Sequence, residues 1–298
     1  MTLNITTTAS PQSVNHRRRT RQGAATLLWY AAAITLAAFF LFPLYWSLLS
    51  SFKTPTEASS APLTWWPSQF SIQSYVQIGT KGAGGILTAL DNSLLATGLA
   101  IVLTATVSTL AGYAFSRFKF RGSSVVFILI LLTLMIPFQS ILIPLYVLLT
   151  SIGLANNLVG LALLYTTFQL PFSIFVMRNT FDQVPRELDE AATVDGAGTF
   201  RTLVSVLLPT TWPGVVTVVL FTFLFAWNEL LAALVIIGDP SKFTVPVMLN
   251  LVVANQYGTV VWGELQAGVV IAMVPCLLVF LLLQRYYVAG ATAGSIKG

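Results

Sequence analysis

Glu187-Leu188-Asp189-Glu190-Ala191-Ala192-Thr193-Val194-Asp195-Gly196-Ala197-Gly198-Thr199-Phe200-Arg201, continuing to Leu208-Pro209, is the one long polar interruption in a chain built from apolar runs. It holds four of the ten acidic residues. A connection between two membrane spans needs only a handful of residues, so an acidic, alanine-rich insertion of helical character reads as a docking surface. Pro185 suits the first turn of a helix, where its missing N–H costs nothing. Glu187, Asp189 and Glu190 then lie at the positive end of the helix dipole, which stabilises them. Asp195-Gly196 is a turn signal, and Thr199 to Leu208 is expected to form a second short helix ended by Pro209.

The flanking composition sets the class. With 56% hydrophobic and 8% charged residues and a mean hydropathy of +0.81, the chain is far from the roughly 25% charged make-up of soluble domains. Uncharged stretches run from Gln22 to Phe52, Asn92 to Ser116, Gly122 to Met177, Thr202 to Asn228 and Leu265 to Gln284. The third is long enough for two spans of about 20 residues, divided at the polar break Thr150 to Asn157. The expectation is an all-α integral membrane protein with six helices, at about 24–51, 92–115, 124–149, 158–178, 211–237 and 265–286. The run after the arginine cluster is too long for the h-region of a signal peptide, so the first span is expected to be retained.

Charge placement orients the spans. Twelve of the 15 Lys and Arg fall on the side of the N-terminus, including Arg17, Arg18, Arg19, Arg21, Arg117, Arg178, Arg186 and Arg201; Lys53, Lys81 and Lys242 fall on the other. Basic loops stay in the cytoplasm, which puts both termini and the Glu187–Pro209 segment there. The net charge of +5 follows from this topology and does not indicate a nucleic-acid partner. The division expected along the chain is a disordered basic tail at 1–23, the first helix and an outer loop at 24–88, a transmembrane core at 89–287 with the docking loop at 182–209, and a cytoplasmic tail at 288–298. Two outer loops, 53–91 with the pair Trp65-Trp66 and 238–264, exceed a simple connection. The tryptophans suit the membrane interface, and the second loop is either a connector or a contact for an external partner.

Residue types exclude much chemistry. The lone His16 and the lone Cys276 leave no His-based metal site, no catalytic triad and no intrachain disulfide. No Gly-x-x-x-x-Gly-Lys-Ser/Thr phosphate loop occurs, so ATP would have to be handled by a partner. Glu229, beside Asn228, is the conspicuous ionisable group in a span; it either faces a substrate path or makes a structural hydrogen bond. Asn92, Gln139 and Gln169 are weaker path candidates, which interhelical hydrogen bonding explains equally well. Prolines at Pro43, Pro137, Pro144, Pro171, Pro213 and Pro275 either kink their helices or reflect the ordinary frequency of proline in membrane spans.

One motif set is specific. Glu190-Ala191-Ala192, three residues to Gly196, nine more to Val206 and then Leu208-Pro209 resembles the cytoplasmic signature loop of permease subunits of binding-protein-dependent ABC importers, with Val206 where Ile is usual. Ser50-Ser51-Phe52-Lys53-Thr54-Pro55-Thr56-Glu57, Asn92-Ser93-Leu94, Met135-Ile136-Pro137-Phe138-Gln139, Ala226-Trp227-Asn228-Glu229, Gln284-Arg285-Tyr286-Tyr287 and the tail Ala293 to Gly298 are similar to the carbohydrate branch, in particular its maltose-type second permease subunit. The resemblance implies a type I ABC importer permease fold with a cytoplasmic coupling helix. It implies as partners a second homologous permease subunit, two ABC ATPase subunits using ATP and Mg, an extracytoplasmic sugar-binding protein and membrane lipid, with no cofactor or metal in this chain and no catalytic residue.

The same resemblance implies the site residues. Glu187, Glu190, Ala191, Ala192, Asp195, Gly196, Ala197, Leu208 and Pro209 would couple to the ATPase: Glu190 would pair with a basic group, the two alanines would form the contact face, and Gly196 would permit the turn. Lys297 and Gly298 in the C-terminal tail would reach the same partner. The other readings are an ion-coupled secondary transporter, which would leave the docking loop unexplained, and an importer for glycerol phosphate or another polyol.

Overall fold

The computed structural model describes residues 12–60, 63–254 and 260–293. Lys297, Gly298 and the first eleven residues lie outside the described residues. Helix α1 (Gln12–Ser51) starts inside the stretch expected as a tail and runs without interruption through Pro43. Two short helices of the first loop follow, α2 (Pro55–Ala58) and α3 (Gln73–Thr80), then α4 (Gly85–Arg117). Next come α5 (Ser123–Leu132), α6 (Phe138–Ser151), α7 (Leu158–Asp182), the polar helix α8 (Glu187–Val194), α9 (Thr199–Thr202) and α10 (Leu208–Thr210). The chain ends with α11 (Trp212–Asn228), α12 (Leu231–Ile236), α13 (Val245–Val253) and α14 (Trp262–Ala293). No strand occurs among the described residues.

Four helices are long and apolar enough to cross a membrane, within α1, α4, α7 and α14; counting each of two bent pairs as one span gives six. Pro137 and Pro213, two of the six prolines noted in the sequence, lie at these bends. The span expected at 124–149 turns by 104° between Met135 and Phe138, because the residue before proline disfavours helical backbone and Ile136 is accordingly extended (φ −79°, ψ 120°). Pro144, Pro171 and Pro275, in contrast, sit inside continuous helices. Pro209 does not end its helix. The segment Thr199–Thr210, π-helical over Leu203–Leu207, runs past it and meets α11 at 78°. The span expected at 211–237 is interrupted at Glu229, whose backbone is extended.

The core forms around α4, α7 and α11. One face of α4 carries small residues at helical spacing, Ala89, Ser93, Ala96, Thr97, Ala100, Thr104, Ser108 and Gly112, all buried. Such a face lets helix backbones approach closely, the usual basis of packing in lipid. At Gly112 the approach is so tight that a Cβ would lie 2.6 Å from Met177 Cβ and 2.8 Å from the Arg178 nitrogen. The side of α1 differs: every residue from Thr26 to Tyr45 is exposed, and its one extensive helix contact among the described residues is with α14.

At the end of the bundle away from α8, two polar anchors order the loops. Lys53, buried beneath the Trp46 ring, donates to the Thr64 carbonyl. Glu57 accepts from Thr64 Oγ1 (2.9 Å) and from the Ser68 amide (3.0 Å) and hydroxyl (2.8 Å). These bonds, led by that of the Ser68 amide and joined by the charge of Lys53, hold the Glu57 carboxyl below its ordinary pKa against the opposing effect of burial. Trp65 and Trp66 stay largely exposed, as interfacial tryptophans do. An ion pair of Lys81 with Glu264 ties the end of α3 to α14.

Candidate docking site

The site is built on α8. Pro185 precedes it, Arg186 caps it, and Glu187, Asp189 and Glu190 occupy its first turn, as the dipole favours. Its end is a Schellman motif, which closes the last helix carbonyls onto two amides beyond the helix: Ala197 N donates to Ala192 O (2.9 Å) and Gly196 N to Thr193 O (3.0 Å). Gly196 has φ +77° and open space where a Cβ would be, so backbone conformation alone demands glycine there.

Successive residues on a helix point about 100° apart, so a helix packed along one side exposes some neighbouring pairs and splits others between face and interior. Glu187, Glu190, Ala191 and Asp195 are exposed, while Ala192 is buried beneath the helix. Of the two alanines expected at the contact face, Ala191 is the exposed one. Val194 (86% exposed) completes the outward face with Glu190 and Ala191, and Phe200 (72% exposed) stands beyond the turn. Both escaped the sequence reading; the signal was a bare apolar residue within a polar segment. Ala197 and Leu208 are half-buried, and Pro209 is exposed.

Side chains outside the motif brace α8. Arg117, the last residue of α4, places Nε 3.0 Å from Asp189 Oδ2 and donates from Nη2 to the Val184 carbonyl (2.9 Å). Arg186 Nη2 donates to the Ser116 carbonyl (3.1 Å), and Ser116 Oγ donates to Asp182 Oδ1 (2.6 Å). An open cleft of about 380 Å³ lies between α8 and the end of α4, lined by Arg117, Arg186, Glu190, Thr193 and Thr199 among others.

The path candidates sit on several different helices. Glu229 accepts from the amides of Ala232 (3.0 Å) and Ala233 (3.2 Å), with the Tyr165 hydroxyl 3.4 Å away; it caps α12 where the span breaks. Asn228 is exposed and donates to the Leu224 carbonyl within its own helix. Asn92 Nδ2 donates to the carbonyls of Ser241 (2.9 Å) and Phe243 (3.1 Å), anchoring the loop before α13. Gln139 is exposed and Gln169 half-buried. Their neighbours Phe138 and Phe168 pack with ring centroids 4.2 Å apart, so the start of α6 lies beside the middle of α7. No group of His, Cys, Asp and Glu among the described residues is arranged to hold a metal.

A multi-pass helical bundle carrying a braced polar helix at one end is the architecture of a transport-system permease. The chain belongs to the family of binding-protein-dependent transport system inner membrane components, whose model matches residues 104–292. It is 33% identical to the trehalose/maltose transport system permease protein MalG of Thermococcus litoralis, over 91% of this chain and 97% of that one. It is 31% identical to the diacetylchitobiose uptake system permease protein DasC of Streptomyces coelicolor, over 89% and 95% of the two chains. In fold it matches a chain of a bacterial ABC transporter involved in the import of the acidic polysaccharide alginate, with a TM-score of 0.75, 21% identity, and coverage of 95% of this chain and 100% of the other.

Proposed function

We propose that this chain is a non-catalytic permease subunit of an ATP-driven sugar importer, forming half of the translocation pathway and docking a cytoplasmic ATPase through α8. The observation that carries the reading is the outward face of α8, with Glu190, Ala191 and Val194 exposed and its end fixed by Gly196. Sugar as cargo is supported by relatives named for trehalose/maltose and diacetylchitobiose transport. The charge count supports cytoplasmic termini. The second permease subunit, two ATPases with their ATP and Mg, and an external binding protein complete the assembly. A proton- or sodium-coupled carrier is disfavoured because Glu229, the carboxylate it would use, is already bonded to two backbone amides.

The experiment replaces Glu190 by Lys and, separately, Gly196 by Val. Each variant is expected to insert into the membrane normally and lose ATP-driven uptake. A β-branched residue at left-handed φ costs roughly 1–2 kcal/mol, enough to unwind a cap but not a bundle. Undiminished uptake in both variants would refute the docking role. A binding-protein ligand that stimulates the complex's ATPase would then distinguish a sugar from a glycerol phosphate or polyol cargo.

A further inference from the structure

Helix α8 hangs from α7 by the short segment Gln183 to Arg186. Val184 and Pro185 in that segment form a natural hinge, since proline donates no amide bond and restricts the residue before it. A helix that receives a push from a partner through such a hinge would swing without moving the bundle. The hinge is bridged, and from a helix distant in sequence. Arg117 at the end of α4 donates from Nη2 to the hinge carbonyl of Val184 and pairs as an ion with Asp189 in the first turn of α8, its Nε 3.0 Å from Asp189 Oδ2. Arg186 reaches back to the Ser116 carbonyl, and Ser116 grips Asp182 at the end of α7. The Arg117 side chain is 7% exposed and that of Asp189 23%, so the pair is screened less than a surface pair. A guanidinium is suited to this place because it donates to the Val184 carbonyl while its fixed, delocalised charge lies beside the Asp189 carboxylate.

Resting on the reading of α8 as the docking helix, we propose that Arg117 and Asp189 are positioning residues, a strut that locks α8 to the α4–α7 pair so that the three move as one lever. The contact at Gly112 already makes α4 and α7 a close-packed unit. The strut extends that unit across the hinge. Both side chains lie mostly buried at the wall of the cleft beside Glu190, away from Ala191 and Val194, a placement that suits transmission. Without the strut, the ATPase still grips α8, but its stroke is absorbed at Val184–Pro185, and ATP is hydrolysed without transport.

The test uses the full complex with its ATPases and binding protein, reconstituted in proteoliposomes, and measures ATP hydrolysed per sugar imported. Arg117→Ala and Asp189→Asn are each expected to raise that ratio about tenfold, the factor corresponding to 1.4 kcal/mol, with the complex still assembled. Arg117→Lys, which keeps charge but loses the fork, is expected to fall between. In a Cys276→Ala background, Arg117→Cys with Asp189→Cys should be uncoupled as made and recover coupling when a short bis-thiol reagent bridges the two positions, which a merely structural role would not do. An unchanged ratio in Arg117→Ala, failure of the bridged protein to recover, or loss of ATPase assembly in Asp189→Asn would each overturn the strut. Failure of the docking reading itself would look different: Glu190→Lys would then import normally.

Discussion

Removing the Glu229 carboxylate separates its two possible roles. Its oxygens accept the amides of Ala232 and Ala233 at 3.0 and 3.2 Å, with the Tyr165 hydroxyl at 3.4 Å. These amides open α12 and have no partner within the helix. Within the bilayer no water replaces a lost acceptor. A bond to a charged acceptor contributes about 1.5–3 kcal/mol, so two bonds give a ceiling of about 3–6 kcal/mol, and local relaxation brings the expectation for Glu229→Ala to about 3 kcal/mol. Glu229→Gln keeps one carbonyl oxygen able to accept from either amide, and is expected to lose about 1 kcal/mol, one neutral bond's worth. The measurement is unfolding in mixed detergent–SDS micelles followed by tryptophan fluorescence, beside uptake of several sugars. The reasoning is refuted if Glu229→Ala lies within about 0.5 kcal/mol of wild type, the range of an inconsequential surface change, or if Glu229→Gln alters which sugar is taken up.

Gly112→Ala is expected to destabilise the α4–α7 pair by about 1–3 kcal/mol, as overpacking does, in the same unfolding assay. Met177→Ala should not relieve it, because the clash is with Met177 Cβ and the Arg178 amide; recovery in the double variant would show that the distal methionine atoms set the spacing. At the first loop, bonding from Ser68 and Thr64 depresses the Glu57 pKa. The folded loop prefers the ionised form, so this contribution is fully present above pH 4.5 and is lost as pH falls through the folded value below it. Protection of the Ser68 amide from hydrogen exchange, taken relative to the intrinsic rate at each pH, should therefore fall only under acid conditions, and Glu57→Gln should remove that pH dependence; a transition near neutrality would count against the carboxylate as the anchor.

The parts of the fold that were legible were those fixed locally. Helix α7 begins at Leu158, where the polar break before it predicts, and α8 follows Pro185 and stops at Asp195-Gly196 for reasons of dipole and left-handed backbone. Helix breaks were less legible. Pro137 and Pro144 lie in the same apolar run, yet only at the first does the preceding residue leave the helical region, and the proline alone does not say which of the two will break the helix. Glu229 was visible as an anomaly, but whether its carboxylate served a path or a backbone depended on the break after Asn228. Asn92 and Arg117 act on segments far along the chain, at Ser241 and Phe243 and at Val184 and Asp189. No local periodicity carries that information. The outward face of α8 needed only the 100° rule, and Val194 was recoverable from it.

The pairing of α1 with α14 has a consequence for biosynthesis. Helix α1 leaves the ribosome first, and the surface it packs on does not exist until Trp262 and the residues after it have been made. While α2 to α13 are made, α1 therefore waits in lipid without this partner, and the contact that follows is a highly non-local one, of the kind that forms slowly. A ribosome that stalls before Trp262 would release a bundle with its first helix adrift, a nascent-chain defect that membrane quality control could recognise by that unclaimed helix.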